Sequence, residues 1–321
     1  MKRREFIALI GGATAWPLAA RAQQPGRTYR LAFLANSGRQ PPIIAAFFDE
    51  LRLNGFVEGQ NLNVVVDGFE IRDDQIDRLV GEVIKAAPDV VLSPEQPARV
   101  LQRLTSTTPI VAMTEDMLEA GLVPSLARPG GNITGISLLS HSLDGKRQDI
   151  LIEAVPGARR MAALADARIT PAAHLQALQS AAQAHGIELL TFALGKPEET
   201  VSAIDAAKAA GAGAINFLAT PLTYVVRAAA FARVAALRLP AIYQWPEMAE
   251  EGGLAGYGPR FPEIWRQRAR LVIKVLRGAK PADIPVEQPT RFELVINLRA
   301  AKAIGHEVPA GLALRADKVI E

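Results

Sequence analysis

Residues 109–137 read PIVAMTEDMLEAGLVPSLARPGGNITGIS, and the reading of this stretch decides the fold. The apolar run Pro109 to Met113 has the length and bounds of a strand covered on both faces. It empties into Thr114, Glu115 and Asp116, which are too polar for a core, then into a short helix and a glycine turn that opens another strand. In open α/β sheets, polar groups at the carboxyl ends of parallel strands are where ligands sit. Asp116 also fits a plainer role, because a strand-to-helix loop often carries Asp as an N-cap.

The same alternation runs outward from this stretch. Upstream, Tyr29 to Ala35 reads as a strand ending at Asn36 and Ser37, followed by a helix carrying Ile44, Phe47, Phe48 and Leu51 and closed by Gly55. Leu62 to Val66 is the next strand, and Ile76, Leu79, Val80, Val83 and Ile84 mark an amphipathic helix. Asp89 to Leu92 opens a third strand, with Ser93, Pro94 and Glu95 at its exit. Downstream the pattern repeats. Strands are expected at 160–165, ending at Asp166, at 187–192, at 214–218, ending at Ala219 and Thr220, and at 240–245, ending in Gln244 and Trp245. Leu254 to Gly258 reads as a further strand that carries Tyr257. A strongly amphipathic helix with Ile264, Trp265, Leu271, Val272, Val275 and Leu276 follows it. A proline-rich extended segment, 281–289, precedes a strand at 292–296 and a terminal helix. Strands alternating with helices imply parallel sheets with right-handed crossovers. Two consecutive sets of them imply an α/β fold of two doubly wound parallel-sheet lobes, each with its own core.

Composition narrows the function. With 321 residues, 49% hydrophobic, the chain has material for one large or two medium globular domains. The formal charge of +3 is carried by Lys2, Arg3, Arg4 and Arg21 against Glu5, so the remainder is neutral and lacks the basic footprint that nucleic acid requires. Residues 1–22 read as an export signal peptide: a basic start, an apolar middle from Phe6 to Leu18, and a small-residue end with cleavage expected after Ala22. Gly11, Gly12 and Pro17 break the apolar middle, which argues against a retained membrane anchor. Arg3-Arg4 ahead of Phe6 and Ile7 resembles a twin-arginine signal, with Lys2 where Ser or Thr is usual. The absence of cysteine removes disulfides, thiolate metal sites, thiol nucleophiles and an N-terminal lipid anchor.

Catalytic signatures are missing from the sequence. There is no G-x-G-x-x-G after the first strand, no P-loop and no G-x-S-x-G elbow, and His141, His174, His185 and His306 lack metal-ligand spacing. No cofactor, metal or catalytic residue is therefore expected. The candidate ligand contacts are the strand exits: Asn36, Ser37, Ser93, Glu95, Thr114, Glu115, Asp116, Asp166, Thr220, Gln244, Trp245 and Tyr257. If the lobes face each other, these exits converge on one cleft. Hydroxyls and amides there would hold a carboxylate, Glu95, Asp116 or Asp166 would pair with an ammonium, and Trp245 and Tyr257 would wall the site or simply pack at the hinge.

Three longer motifs carry a family likeness. Gly121-Leu122-Val123 with 125–135 (SLARPGGNITG), 239–243 (LPAIY), and above all 278–290 (GAKPADIPVEQPT) with 292–298 (FELVINL) resemble the ABC-transporter substrate-binding proteins of the tryptophan/tyrosine-binding type, over essentially the whole mature chain. The resemblance implies a type I periplasmic-binding fold with a three-crossing hinge, near Ser140, Gly252 and Pro285. That places 23–139 plus 253–284 in an N-terminal lobe and 140–252 plus 285–321 in a C-terminal lobe. It further implies a monomeric periplasmic protein that closes on a small molecule, an amino acid or an aromatic or apolar carboxylate, and hands it to a membrane permease. Two ligand-facing loops depart from the family pattern. Asp116-Met117-Leu118 stands where Asp-Pro-Val is usual, and Asp166-Ala167-Arg168 where Asn is followed by Pro. Against this reading stand an exported two-lobed α/β enzyme and a ligand-sensing regulator. The latter would need a DNA-binding helix pair where this chain has an export signal.

Overall fold

A computed structural model describes residues 26–36 and 41–321, so the expected leader, residues 1–22, and Ser37 lie outside the described residues. The first sheet contains β1 (Tyr29–Leu34), β2 (Leu62–Gly68), β3 (Val90–Pro94), β4 (Ile110–Thr114) and β5 (Ile133–Ser137), all parallel, in the order β2-β1-β3-β4-β5. Three helices cross between these strands: α1 (Pro41–Leu53), α2 (Ile76–Ala86) and α3 (Glu95–Leu104). The order 2-1-3-4-5 is doubly wound, with the reversal of strand direction of travel falling between β1 and β3. Burial of Leu31, Phe33, Val90, Leu92 and Val111 explains the continuous apolar runs of these strands, which have helices on both faces.

The second sheet repeats the plan and extends it. After α4 (Ser140–Ala154) come β6 (Arg160–Asp166), α5 (Ala172–Ala184), β7 (Glu188–Leu194), α6 (Glu199–Ala209) and β8 (Ile215–Phe217). Next come α7 (Pro221–Val225), α8 (Arg227–Ala236), β9 (Ala241–Tyr243), α9 (Pro246–Glu250) and β10 (Ala255–Gly258). The last elements are α10 (Phe261–Leu276), β11 (Glu293–Asn297), α11 (Leu298–Ala303), α12 (Ala310–Leu314) and β12 (Lys318–Ile320). The sheet order is β12-β11-β10-β9-β8-β6-β7, parallel except for the antiparallel β10/β11 pair. The helix expected after the 292–296 strand is present as α11 and α12, and the short β12 follows it.

Three chain crossings join the lobes. The first is Leu138-Leu139, whose amides donate to the carbonyls of Thr114 and Glu115 at 3.0 and 2.9 Å. Leu139 has φ 53°, a left-handed conformation that a branched side chain rarely adopts. The second crossing, expected at Gly252, falls instead after Gly258, because Ala255–Gly258 is a strand of the second sheet whereas α10 packs along α1 in the first lobe. The third lies later than Pro285. The amides of Val286 and Glu287 still donate to Leu126 and Gly135 of the first lobe, and the chain rejoins the second sheet only at Glu293.

One expectation for the central stretch is revised. Between β4 and β5 there is no helix, only turns. The Asp116 carboxylate accepts from the amides of Leu118 and Glu119 at 2.7 and 3.1 Å, so it caps a turn and not a helix N-terminus. Gly135 is required by close packing, since a Cβ there would lie 1.9 Å from the Ala112 carbonyl oxygen. Each lobe has a core cluster of its own, as expected, and a third cluster runs between them. Phe33 stacks on Trp265 (5.7 Å between centroids, 3° between planes), Trp265 meets Phe261 edge-on at 6.2 Å, and Phe261 contacts Trp245 at 4.5 Å. This aromatic run, each ring worth roughly 1.5–3 kcal/mol on burial, makes the hinge a continuation of both cores.

Candidate functional site

The first sheet's direction reversal places the ends of β1 and β3 on either side of a crevice, and Asn36 and Pro94 line it. The corresponding crevice in the second sheet is filled by the protein itself. Asp166, fully buried after β6, accepts from the Thr220 hydroxyl at 2.8 Å and from the Arg168 amide and guanidinium at 2.9 and 3.1 Å. The gap between lobes therefore opens toward β9 and α7. Its free interior is about 70 Å³, smaller than the roughly 300–1,000 Å³ of an open small-molecule pocket, so the lobes stand close together. Both lobes line it, through Asn36, Met113 and Glu115 of the first and Tyr224, Gln244 and Trp245 of the second, with Phe261, Trp265 and Arg268 from α10.

A buried polar cluster on α4 fixes the second lobe's strand exits. Asp144 and Arg147 pair at 2.6 Å with side chains 0% and 1% exposed. Asp144 also accepts from the Ala219 amide after β8 at 3.1 Å and contacts His174 Nε2 at 3.1 Å. Arg147 donates to the carbonyls of Tyr257 (2.8 Å) and Gln244 (3.5 Å), so one ion pair ties down the exits of β8, β9 and β10. Glycine completes the arrangement. A Cβ at Gly256 or Gly258 would lie 2.3 Å from the Trp245 carbonyl oxygen or 2.1 Å from that of Gln244, so only bare backbone lets the 244–246 segment cross β10. Gln244 is held further by exchanging hydrogen bonds with the Thr220 backbone, at 3.1 and 3.0 Å.

Of the twelve residues picked from strand exits, Asn36, Glu115, Gln244 and Trp245 line the gap. Ser37 lies outside the described residues, and the other seven occupy different places. Ser93 is buried, its hydroxyl donating to the Pro94 carbonyl; Glu95 is held by Arg99 one turn along α3 at 3.0 Å; Thr114 is buried behind the wall with its hydroxyl unbonded. Asp116 caps its turn, and Asp166 is committed as described. Thr220 caps α7 by accepting from the Leu222 amide, and Tyr257 packs against Phe292 in the second lobe.

The strand-exit rule misses the helix that crosses the gap. On α10, Trp265 and Arg268 are one turn apart and 2% and 1% exposed. Arg268 Nη2 donates to the Ser93 carbonyl at 3.3 Å, its Nε has no hydrogen-bond partner, and no carboxylate among the described residues pairs with it. Its Cζ sits 4.5 Å from the Trp265 ring centre, and burial alone pushes its guanidinium down to about 9. Trp265 Nε1 is likewise buried without an acceptor. The signal was present in the helical period: Arg268 stands four residues after Ile264 and four before Val272, on the apolar stripe. Among the described residues no group of three or more His, Cys, Asp or Glu is placed to hold a metal ion.

Two α/β lobes of this strand order, joined by three crossings around a two-sided pocket, define the type I periplasmic-binding fold. A family model described as ABC transporter substrate binding protein matches residues 43–320, and the chain belongs to that family. It is 24% identical over 264 residues to a tyrosine-binding protein of Clostridioides difficile, covering 80% of this chain and 75% of that one. Among solved structures, a conserved domain protein from Vibrio cholerae superposes with a TM-score of 0.82 at 25% identity, over 91% of this chain and all of that one. An ABC domain in complex with L-Trp from Streptococcus pneumoniae gives 0.79 at 21% identity over the same shares.

Proposed function

We propose that the chain is the periplasmic solute-binding component of an ABC importer. It captures an amino acid or an aromatic or apolar carboxylate between its lobes and delivers it to a membrane permease. The observation that carries this reading is the pocket itself, lined from both lobes, so that a solute touching both sides favours the closed arrangement by its differential affinity. Asn36 and Glu115 contact it from the first lobe and Trp245 from the second. Family membership supports the importer role, and the tyrosine-binding and L-Trp-bound relatives support an aromatic solute. The sequence of residues 1–22 supports a leader removed near Ala22 and a protein released to the periplasm. Titration calorimetry of the mature protein with amino acids and aromatic acids, paired with small-angle scattering, tests the reading. A bound solute is expected to reduce the radius of gyration, and tight binding without any change in shape would refute closure.

A further inference from the structure

We propose that Trp265 and Arg268 form a carboxylate subsite on α10, so that the solute is recognised as an organic acid and its amino group, where present, is dispensable. The inference rests on the solute-binding reading and deepens it. Buried polar atoms are almost always hydrogen-bonded, and those that are not need a reason. Here two orphaned donors, Trp265 Nε1 and Arg268 Nε, lie one helical turn apart, and both residues line the same gap. Two donors without acceptors call for a ligand that brings oxygens, and a planar carboxylate matches a guanidinium edge.

Charge points the same way. A buried cation without a counterion is costly, and the one carbonyl that Arg268 reaches at 3.3 Å offers no charge. Glu115 lines the same gap, yet it contributes nothing to the guanidinium's titration, which burial alone displaces. An anion arriving from solvent would supply what the protein withholds. Around the pair, Tyr224, Trp245 and Phe261 form apolar walls, which suit a flat hydrocarbon body attached to the acid. The placement also couples acid recognition to closure, because α10 belongs to the first lobe's packing while its N-terminal turn meets Trp245 and Tyr224 of the second.

The test compares L-tryptophan, indole-3-propionate, which lacks the amine, and tryptamine, which lacks the acid, by calorimetry on the wild type and on Arg268→Met, Arg268→Lys and Trp265→Phe. Both acids are expected to bind the wild type and tryptamine to bind at least about a hundredfold more weakly, the scale of an unmade charged hydrogen bond. Arg268→Met should lose about a hundredfold for both acids, Arg268→Lys should recover part of that, and Trp265→Phe, which keeps a ring and removes one donor, should lose about tenfold. Tryptamine binding as tightly as L-tryptophan, or an Arg268→Met protein that keeps its affinity and still closes in scattering, overturns the subsite while leaving the solute-binding role intact. If none of the three compounds binds the wild type, the aromatic-solute reading falls and the subsite falls with it.

Discussion

Arg147 and Arg268 are both buried to about 1% exposure, and replacing each with methionine should move stability in opposite directions. Arg147 is paired with Asp144 at 2.6 Å and donates to two carbonyls; its removal strands a carboxylate that is 0% exposed. Breaking such a pair from one side costs about 3–5 kcal/mol. Arg268 has no counterion, and the drop of its pKa from 12.5 to about 9 corresponds to roughly 5 kcal/mol of unfavourable charge burial. Methionine removes that cost, forfeiting about 1–2 kcal/mol of ring contact with Trp265 and about 1 kcal/mol of hydrogen bond to Ser93. A net gain of about 2–3 kcal/mol remains, inside the range seen when buried ionic groups give way to apolar ones. At about 2 °C per kcal/mol for a protein of this size, ligand-free Arg268→Met should melt roughly 4–6 °C higher and Arg147→Met roughly 6–10 °C lower. Differential scanning calorimetry on the two variants in the same buffer reads both. A fall of similar size in both would mean that Arg268 is structurally compensated, and the reasoning about an unmet charge would be wrong.

Three further outcomes are expected. In the ligand-free protein the charged form of Arg268 is fully present below about 9 and is lost as pH rises through that value, while Tyr224 is pushed up to about 12 and stays neutral. Affinity for indole-3-propionate should thus be flat near neutral pH and fall about tenfold per pH unit above 9; calorimetry across that range showing no fall would count against an ionic role for Arg268. Across the cleft, Arg168 reaches Asp73 at 2.8 Å with Asp73 67% exposed, so Asp73→Ala should weaken solute binding by less than about fivefold, an effect that vanishes in high salt. A larger, salt-insensitive loss would show that this bridge does more than bias closure. Gly258→Ala forces a Cβ within 2.1 Å of the Gln244 carbonyl oxygen; it should cost about 1–3 kcal/mol in urea unfolding and weaken binding through displaced Trp245. Wild-type affinity in that variant would separate β10 packing from the site.

The strands and most helices were legible because their signals are local. Runs such as YRLAFL and IVAMT sit between turn residues, and the apolar stripe of α10 repeats every three or four positions. Sheet membership was harder to read. Nothing local in LAGYG says that it joins β9 and β11 rather than the first sheet, and the antiparallel pairing that decides it involves residues some forty positions away. The site was half legible for a related reason. A strand exit marks a place, and Asn36, Glu115, Gln244 and Trp245 were found by it. Whether a polar side chain there faces outward depends on partners that tertiary structure supplies: Arg168 and Thr220 occupy Asp166, and the turn amides occupy Asp116. The buried Asp144-Arg147 pair and Arg268 stand on helices, where charged residues are ordinarily solvated, so only their position on the apolar period could have singled them out.

The aromatic run through the hinge has one more consequence. The chain contains three tryptophans, of which Trp16 falls in the proposed leader, and the other two, Trp245 and Trp265, both face the gap from opposite lobes. If that leader is removed as proposed, all indole emission originates within the cleft. A solute that enters, or a lobe that swings, alters the surroundings of both fluorophores at once, so the unlabelled molecule carries its own optical gauge of occupancy.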